Sequence, residues 1–305
     1  MSWREHRVAS AALGDERPLW VWSPADEARR YPVVYVLHAH MRTGPSWFNV
    51  EPFERSYPQA IDELAPEAIV ALVDGWTPVG GSQWIDSDLG AFATYLREDV
   101  VGSVEDSYPA NGLRGLQGKS SGGYGAIVNA LERPDVFHAV AAHAPMALFE
   151  VTIARDFPAV ARELRERGAS LHEALAGIDG LSSAGDVVLV ETGALAHAFS
   201  GGALPFRVDT ARLVPDVWER WLERDPVRIA AERAEAVRAL RGVWLDAGRR
   251  DEYYLDLGAV ALRDALLAAG LAEARLQFEL FDGGHRGVSG RYPASLAWLV
   301  ERLSE

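Results

Sequence analysis

Cysteine is absent from all 305 residues of the sequence. This absence excludes disulfides, metal sites built on thiolates and any mechanism with a cysteine nucleophile. The sequence also has no Walker A loop and no glycine fingerprint of the Rossmann type, so it indicates no nucleotide cofactor. We therefore predict a protein that uses no cofactor.

Long apolar runs are missing as well. No stretch reaches the roughly 18 uncharged apolar residues that a membrane span requires. The first residues, Met1–His6, are not followed by an apolar segment of signal-peptide length. From these two observations we expect a cytoplasmic protein without a membrane partner.

Basic residues are too few to favour a polyanionic partner. The sequence has 30 Lys and Arg against 44 Asp and Glu, a formal net charge of −14, and the acidic residues are spread along the chain. Such a charge balance repels phosphate backbones, so we expect no nucleic-acid partner.

Apolar residues make up 49% of the chain, which is enough for a large hydrophobic core.

Short β-rich runs alternate with helical segments, which is typical of a mostly parallel, doubly wound α/β sheet with helices on both faces. An early strand, Leu19–Trp22, is expected to pair with the segment around Val8. The other predicted strands are Pro32–Leu37, Ala68–Val73, Leu113–Gln117, Val136–Ala142, Val243–Leu245 and Leu276–Phe281. The predicted helices are Leu89–Val101, Gly122–Leu131, Leu255–Ala269 and Ala294–Leu303.

One block of the sequence breaks this alternation. Residues 147–240 are mostly charged and helix-prone, with glycine and proline at intervals, and the ambiguous run Asp186–Val190 weakly favours a helix. We interpret the block as a helical cap inserted into a core of residues 1–146 and 241–305, because loops on such sheets carry substrate selection. A surface insertion without a role is the alternative.

Residues 118–125, with the sequence GKSSGGYG, contain the G-x-S-x-G pattern of a nucleophile elbow around Ser120. The turn from strand to helix is so sharp that it leaves no room for a side chain two residues before or after the serine. Glycine occupies both places around Ser120, whereas Ser121 has Lys119 two residues before it. We therefore predict Ser120 as a nucleophile, with an ordinary flexible glycine–serine loop as the alternative.

A serine hydroxyl needs a neighbouring base to lose its proton at neutral pH. In folds with this elbow the acid and then the histidine follow the serine along the chain, and the histidine lies in a loop after the last strand. His285 meets this condition, because it follows Leu276–Phe281 in a glycine-rich loop. The acid should follow Val243–Leu245, where the candidates are Asp246, Asp251, Glu252 and Asp256.

Backbone N–H groups close to the elbow can stabilise the negative charge that develops on a carbonyl oxygen under attack. The N–H of Ser121, at the start of the following helix, is the first predicted donor. The second donor is expected from the loop after Pro32–Leu37, which begins with the sequence HAHM at residues 38–41.

The strand with its histidine loop, the elbow and the C-terminal Gly-Gly-His segment together resemble the "Putative esterase" branch of the α/β-hydrolase superfamily. That branch includes esterase D (S-formylglutathione hydrolase), feruloyl esterases, enterochelin-esterase-like proteins and the antigen 85 mycolyltransferases. The resemblance covers most of the predicted sheet but not residues 147–240. It implies an α/β-hydrolase fold and an esterase activity.

The resemblance also bears on two site residues. It favours Asp251 as the triad acid, because Gly248–Asp251 matches the family's Gly-x-x-Asp turn, with Asp246 as the second candidate. It makes His40 the second oxyanion donor. Because an alanine stands at position 39 where the family usually has glycine, Met41 stays open as the alternative donor.

Several other side chains are candidates for contact with the substrate. Trp47, Trp84 and Tyr124 are predicted to contact an apolar or aromatic acyl group, with ordinary packing as the alternative. His143 follows the strand Val136–Ala142 and is predicted to line the acyl pocket, with a structural role as the alternative.

His38 and His40 could begin a metal site, because two residues at this spacing face the same side of an extended segment. No further cluster of His, Asp and Glu completes a ligand set in the sequence, so we predict no metal and a structural hydrogen-bonding role for His38.

The predicted function is that of a serine hydrolase that cleaves a small-molecule carboxylic ester through an acyl-serine intermediate. The alternatives are an acyltransferase with the same triad, a non-catalytic binding protein on a hydrolase scaffold, and a metal-dependent hydrolase. The sequence leaves open which ester is the substrate and whether the chain forms a homo-oligomer.

Overall fold

A computed structural model describes residues 3–50, 53 and 55–304, and its centre is a mostly parallel β-sheet. The strands are β1 (Arg4–Ser10), β2 (Asp15–Trp22), β3 (Tyr31–Leu37), β4 (Ile69–Val73), β5 (Asp86–Ser87), β6 (Gly90–Ala91), β7 (Ala110–Lys119), β8 (Ala139–His143), β9 (Gly242–Gly248) and β10 (Leu276–Phe281). Across the described ranges, eight strands form one sheet in the order β1-β2-β4-β3-β7-β8-β9-β10, and β5 and β6 form a separate hairpin. In the large sheet β2 pairs antiparallel with both of its neighbours, whereas the other pairings are parallel.

Helices follow most of these strands. They are α1 (Tyr57–Leu64), α2 (Phe92–Thr94), α3 (Val101–Ser107), α4 (Ser121–Glu132), α5 (Phe149–Thr152), α6 (Phe157–Arg167), α7 (Leu171–Ala176), α8 (Ala184–Ser200), α9 (Pro215–Leu222), α10 (Pro226–Glu232), α11 (Ala234–Ala239), α12 (Leu255–Ala268) and α13 (Tyr292–Ser304). A π-helical segment, Tyr95–Val100, joins α2 to α3. In the described part of the chain, none of the helices has the length and apolar character needed to cross a bilayer.

Alternate side chains of the central strands enter two separate cores. In the fully buried strand β3, Tyr35 belongs to the core on one face, whereas Val34 and Val36 belong to the core on the other face. Residues of α4 and α12 complete the first core, and residues of α1 and α13 complete the second. Because both faces of β3 are covered, its sequence is a continuous apolar run, and the predicted α/β class with a mostly parallel sheet is confirmed.

Most predicted elements differ by a few residues at their ends, and two of them begin three residues later in the structure than predicted. The strand predicted at Val136–Ala142 begins at Ala139, because the N–H groups of Val136 and Phe137 donate to the carbonyl of Arg133 and close a turn. The helix predicted at Leu89–Val101 begins at Phe92, because the residues before it form the β5–β6 hairpin.

Residues between β8 and β9 are largely helical. Helices α6 to α9 pack on one another, and α10 and α11 pack against the core helices α4 and α12. Aromatic rings join the first group, with the ring centroids of Phe157 and Phe206 4.6 Å apart and those of Phe199 and Trp221 5.5 Å apart. The run Asp186–Val190 lies inside α8, as the sequence weakly indicated.

The packing of α4 against Trp84 yields a stability prediction. A Cβ atom on Gly125 would lie 2.4 Å from the Cβ of Trp84. We expect Gly125→Ala to lower the free energy of unfolding by about 2 kcal/mol, since the buried indole has to move. Urea unfolding at neutral pH measures the change.

Gly102 in α3 provides the matched control, because a Cβ atom there would meet nothing within 4 Å. The higher helix propensity of alanine should make Gly102→Ala neutral or stabilising by up to ~1 kcal/mol. Equal losses of stability in the two variants would contradict this account of the α4 packing.

Candidate active site

The turn between β7 and α4 holds Ser120 in a strained backbone conformation. Ser120 has φ 56° and ψ −121°, a region that L-residues seldom occupy. Its N–H donates to the carbonyl of His143 at 2.9 Å, and its carbonyl accepts from the N–H of Tyr124 at 2.8 Å. The turn is thus held on both sides by backbone hydrogen bonds.

Two glycines make this turn sterically feasible. A Cβ atom on Gly118 would lie 2.4 Å from the carbonyl oxygen of Gly122, and a Cβ atom on Gly122 would lie 2.2 Å from the carbonyl oxygen of Leu37. These obstacles are backbone atoms, which cannot rotate away as a flexible side chain can. The contacts are the physical reason for the G-x-S-x-G spacing around Ser120.

His285 lies in the loop after β10 and is paired with a buried carboxylate. Its Nδ1–H donates to Oδ2 of Asp251 at 2.8 Å, and the Asp251 side chain is fully buried. The other oxygen of Asp251 accepts from the N–H of Tyr253 at 2.9 Å. A carboxylate at Nδ1 keeps the proton on that nitrogen, so Nε2 of the neutral imidazole can accept a proton.

The loops that carry Asp251 and His285 are fixed to each other. The N–H of His285 donates to Oε2 of Glu252 at 2.7 Å, and the N–H of Arg250 donates to the carbonyl of Gly283 at 2.9 Å. A Cβ atom on Gly248 would lie 2.4 Å from the carbonyl oxygen of Gly284, so the two loops are in direct backbone contact. The spacing between Asp251 and His285 therefore does not depend on one side-chain hydrogen bond.

Asp246, the second candidate for the acid, lies in a different environment. Its Oδ1 accepts from Nδ1–H of His143 at 2.8 Å, and its Oδ2 accepts from Nε–H of Arg291 at 2.7 Å. Nε2 of His143 lies 2.9 Å from the hydroxyl of Ser295. Burial alone would raise the pKa of Asp246, but the hydrogen bonds from His143, Arg291 and Trp244 hold it below its usual value.

Asp246, His143 and Ser295 thus have the hydrogen-bond order of a catalytic triad, but all three side chains are buried. None of them lines the cavity that contains Ser120. His143 therefore differs from its predicted place in an acyl pocket and matches the structural alternative.

The loop after β3, residues 38–42, approaches the elbow from the other side, and we call it the oxyanion loop. Ala39 does not have a positive φ, so its methyl group is tolerated where glycine is usual. The N–H of Met41 donates to the carbonyl of Gly80 at 2.7 Å and is not available to a substrate oxygen. Of the two donors that the sequence left open, the N–H of His40 stays the predicted one.

The two histidines of this loop are neutral for the same reason. Burial lowers the pKa of His38, and burial lowers the pKa of His40 to about 4. In His38, Nδ1–H donates to the carbonyl of Ala39 and Nε2 accepts from the N–H of Gly75, both at 2.9 Å. Both His38 nitrogens are thus engaged in fixing the loop.

Among the described residues, no group of three or more His, Asp or Glu side chains is placed to hold a metal ion.

Ser120 and His285 line the same cavity, which has a volume of about 760 Å³. Trp47 lines it, so its contact with an acyl group stays a prediction, whereas Trp84 and Tyr124 do not line it. Nε1–H of Trp84 donates to the carbonyl of His38 at 3.1 Å, and the ring of Tyr124 packs against aromatic rings of the helical block. The two aromatic residues are core residues beneath the site, as in the alternative reading.

Helix α8 supplies cavity residues that the sequence prediction missed. Val187, Glu191 and Leu195, spaced four residues apart, line the cavity together with Thr192. This spacing is that of one face of a helix, so it could have identified the face once the ambiguous run was taken as helical. Burial beside Asp156 raises the pKa of Glu191 to about 7.

Comparison with known proteins identifies the family of the chain. The sequence profile of the "Putative esterase" family matches residues 10–298. Among curated proteins, no match to the sequence was found.

Solved structures share the fold over nearly the whole chain. A ferulic acid esterase superposes with a TM-score of 0.63 at 19% identity, covering 99% of this chain and 98% of that chain. The fluorophosphonate-binding serine hydrolase F of Staphylococcus aureus has a TM-score of 0.64 at 15% identity, covering 100% and 98%. An S-formylglutathione hydrolase from Agrobacterium tumefaciens has a TM-score of 0.59 at 17% identity, covering 99% of each chain.

At these identities the structural likeness establishes the α/β-hydrolase fold, and the family match establishes the class of activity. The match begins within β1 and ends within α13, so it takes in the sheet, the elbow and the His285 loop. The chain therefore belongs to the "Putative esterase" family of α/β-hydrolases and is a serine hydrolase of the carboxylesterase type.

Proposed function

We propose that Ser120, His285 and Asp251 are the catalytic triad of this esterase and that the acyl group of a small-molecule ester passes through Ser120 to water. The observation that carries the proposal is the 2.8 Å pairing of His285 with buried Asp251 in the same cavity that Ser120 lines. A strained serine and a carboxylate-oriented imidazole in one cavity are the parts that acyl transfer requires.

In the first step, Oγ of Ser120 attacks the ester carbonyl carbon while Nε2 of His285 takes the hydroxyl proton. The imidazole becomes a cation, and the carboxylate of Asp251 stabilises it through Nδ1–H. Because Asp251 is fully buried, its charge acts on the imidazolium with little screening by water.

The carbonyl oxygen becomes negatively charged in this step. The N–H of Ser121, at the start of the twelve-residue helix α4, and the N–H of His40 are the proposed donors to it. The helix N-terminus adds its partial positive charge. Each donor is expected to lower the barrier by about 3 kcal/mol.

The intermediate collapses as His285 returns its proton to the leaving alcohol, which leaves the acyl group on Ser120. A water molecule then attacks the acyl carbon while His285 takes one of its protons. This second intermediate collapses as His285 gives the proton to Oγ of Ser120, which breaks the acyl–serine bond and releases the acid. The same imidazole thus acts as base and then as acid in each half of the reaction.

The first experiment is Ser120→Ala. Loss of the nucleophile should abolish hydrolysis of a short p-nitrophenyl ester and labelling by a fluorophosphonate, because only an activated serine reacts with that reagent. Ser103→Ala, on α3 and outside the cavity lining, should still be labelled. Undiminished turnover by Ser120→Ala at unchanged thermal stability would rule out the proposed nucleophile.

The second experiment separates the two aspartates. Asp251→Asn should lower kcat by about 10³- to 10⁴-fold, because the imidazole loses its orienting carboxylate. Asp246→Asn should instead lower the free energy of unfolding by about 2–3 kcal/mol, because it leaves Arg291 and His143 without a buried anion, and change kcat less than about tenfold. The opposite pattern in kcat would make Asp246 the acid.

We also propose that the helical block of residues 147–240 acts as the predicted cap. Its support is that one face of α8 lines the same cavity as Ser120 and His285. The residues of the block before α6 contribute as well, since Thr152 and Ile153 line the same cavity. On this view the acyl or alcohol part of the substrate contacts α8.

Glu191 on α8 allows the packing of the cap over the cavity to be tested by pH. Its pKa is about 7 in the folded protein against an ordinary value of 4.5, so folding favours the protonated form. The resulting stability is present below pH 4.5 and is lost as pH rises through 7. Between pH 5 and pH 8, the wild type should therefore lose ~2 kcal/mol more stability than Glu191→Gln does.

Urea unfolding at the two pH values and constant ionic strength measures this difference. Glu166→Gln, at an exposed position of α6, should leave the pH dependence of the wild type unchanged. Parallel pH dependence of Glu191→Gln and the wild type would show that the side chain of Glu191 is not buried where α8 lines the cavity.

A further inference from the structure

Three basic side chains line the cavity beside the reacting residues. Lys119 directly precedes the proposed nucleophile, Arg286 directly follows the proposed base, and Arg42 is the last residue of the oxyanion loop. Lys119 is also the only lysine in the sequence, since the other 29 of the 30 basic residues are arginine. Each segment that supplies a catalytic group therefore also supplies one cation.

Within its described ranges, the structure shows no direct carboxylate contact for these three cations. Among the described residues, the side chains of Lys119, Arg42 and Arg286 form no hydrogen bond or ion pair with a carboxylate. Arg55, which lines the same cavity, differs because it forms an ion pair with Glu63 at 2.7 Å. The charges of Asp251 and Glu252 act on Lys119 without a direct ion pair, so within the described ranges the cavity groups three cations that have no contacting carboxylate, in a chain with a net charge of −14.

The pKa of Lys119 is affected by the two neighbouring arginines. Its side chain is partly buried, and burial together with the charges of Arg42 and Arg286 lowers its pKa to about 8, although Asp251 acts in the opposite direction. At neutral pH the ammonium group is still mostly protonated. A bound anion would offset the repulsion among the three cations.

The lining of the cavity has fewer acidic than basic side chains. Its two carboxyl groups are those of Asp156 and Glu191. Burial raises the pKa of Asp156, and burial beside Asp156 raises the pKa of Glu191 to about 7. At neutral pH the lining of the cavity therefore has an excess of positive charge.

We propose that the ester substrate carries an anionic group, a carboxylate or a phosphate, that Lys119, Arg42 and Arg286 bind beside the scissile bond. This inference rests on the proposed function, because it takes Ser120 and His285 as the reacting residues. Since the three cations belong to the same three segments as the catalytic groups, an anion held among them fixes the position of the ester carbonyl. The anionic group lies on the acyl part or on the alcohol part of the ester.

The test compares pairs of esters that differ in one charge. For the acyl part, the pair is mono(4-nitrophenyl) adipate and 4-nitrophenyl hexanoate. For the alcohol part, the pair is 4-carboxyphenyl butyrate and 4-carbamoylphenyl butyrate. In at least one pair the wild type should prefer the anionic ester by about tenfold or more in kcat/KM, and the preference should fall when the salt concentration is raised from 20 mM to 500 mM.

Variants assign the preference to the three side chains. Arg42→Gln, Arg286→Gln and Lys119→Gln should each reduce the ratio of anionic to neutral kcat/KM by about fivefold, the effect of one charge pair at contact in water. Lys119→Arg should retain the ratio because it keeps the charge. Arg55→Gln is the matched control and should leave the ratio unchanged, since the charge of Arg55 is already paired with Glu63.

The outcomes separate this inference from the proposed function. Hydrolysis of the neutral esters and fluorophosphonate labelling, without a preference for either anionic ester, would overturn the anion site and leave the triad intact. A preference that survives all three substitutions would also overturn it. Absence of both hydrolysis and labelling would reject the proposed function and the anion site together.

Discussion

The approach of α4 to the end of β3 is the constraint on which the site depends. Gly122 lies so close to the carbonyl oxygen of Leu37 that a single Cβ atom would collide with it. This contact brings the start of α4 against the oxyanion loop and forces Ser120 into its positive φ. The nucleophile, the N–H of Ser121 and the N–H of His40 therefore share one small region, because two backbone segments touch there.

Burial distinguishes two similar side-chain arrangements in this protein. Asp251 and His285 meet at the wall of the cavity, whereas Asp246, His143 and Ser295 form a hydrogen-bonded chain inside the protein. The buried chain joins the ends of β8 and β9 to α13, and it contacts the His285 loop through Arg291. The two arrangements have similar hydrogen bonds, but among their members only His285 lines the cavity, which is why the catalytic role is proposed for the first and not for the second.

The cavity also shows how local charge can oppose the charge of the whole chain. Acidic residues dominate the surface, but the cavity wall nearest Ser120 presents Lys119, Arg42 and Arg286. Desolvation raises the pKa of both carboxyl groups that line the cavity, those of Asp156 and Glu191. The proposed anion site is therefore compatible with the negative net charge of the chain.

The sequence by itself determined the features that depend on neighbouring residues and on chain order. The glycines around Ser120, the apolar run of β3 and the position of His285 after the last strand each indicated their structure directly. Only the tertiary structure decided which distant residues meet. Asp246 and Asp251 are close in sequence, the first within β9 and the second just after it, so the sequence did not separate their roles. Trp84, Tyr124 and His143 likewise fit a pocket as well as a core, because burial and contact depend on elements far apart in the chain.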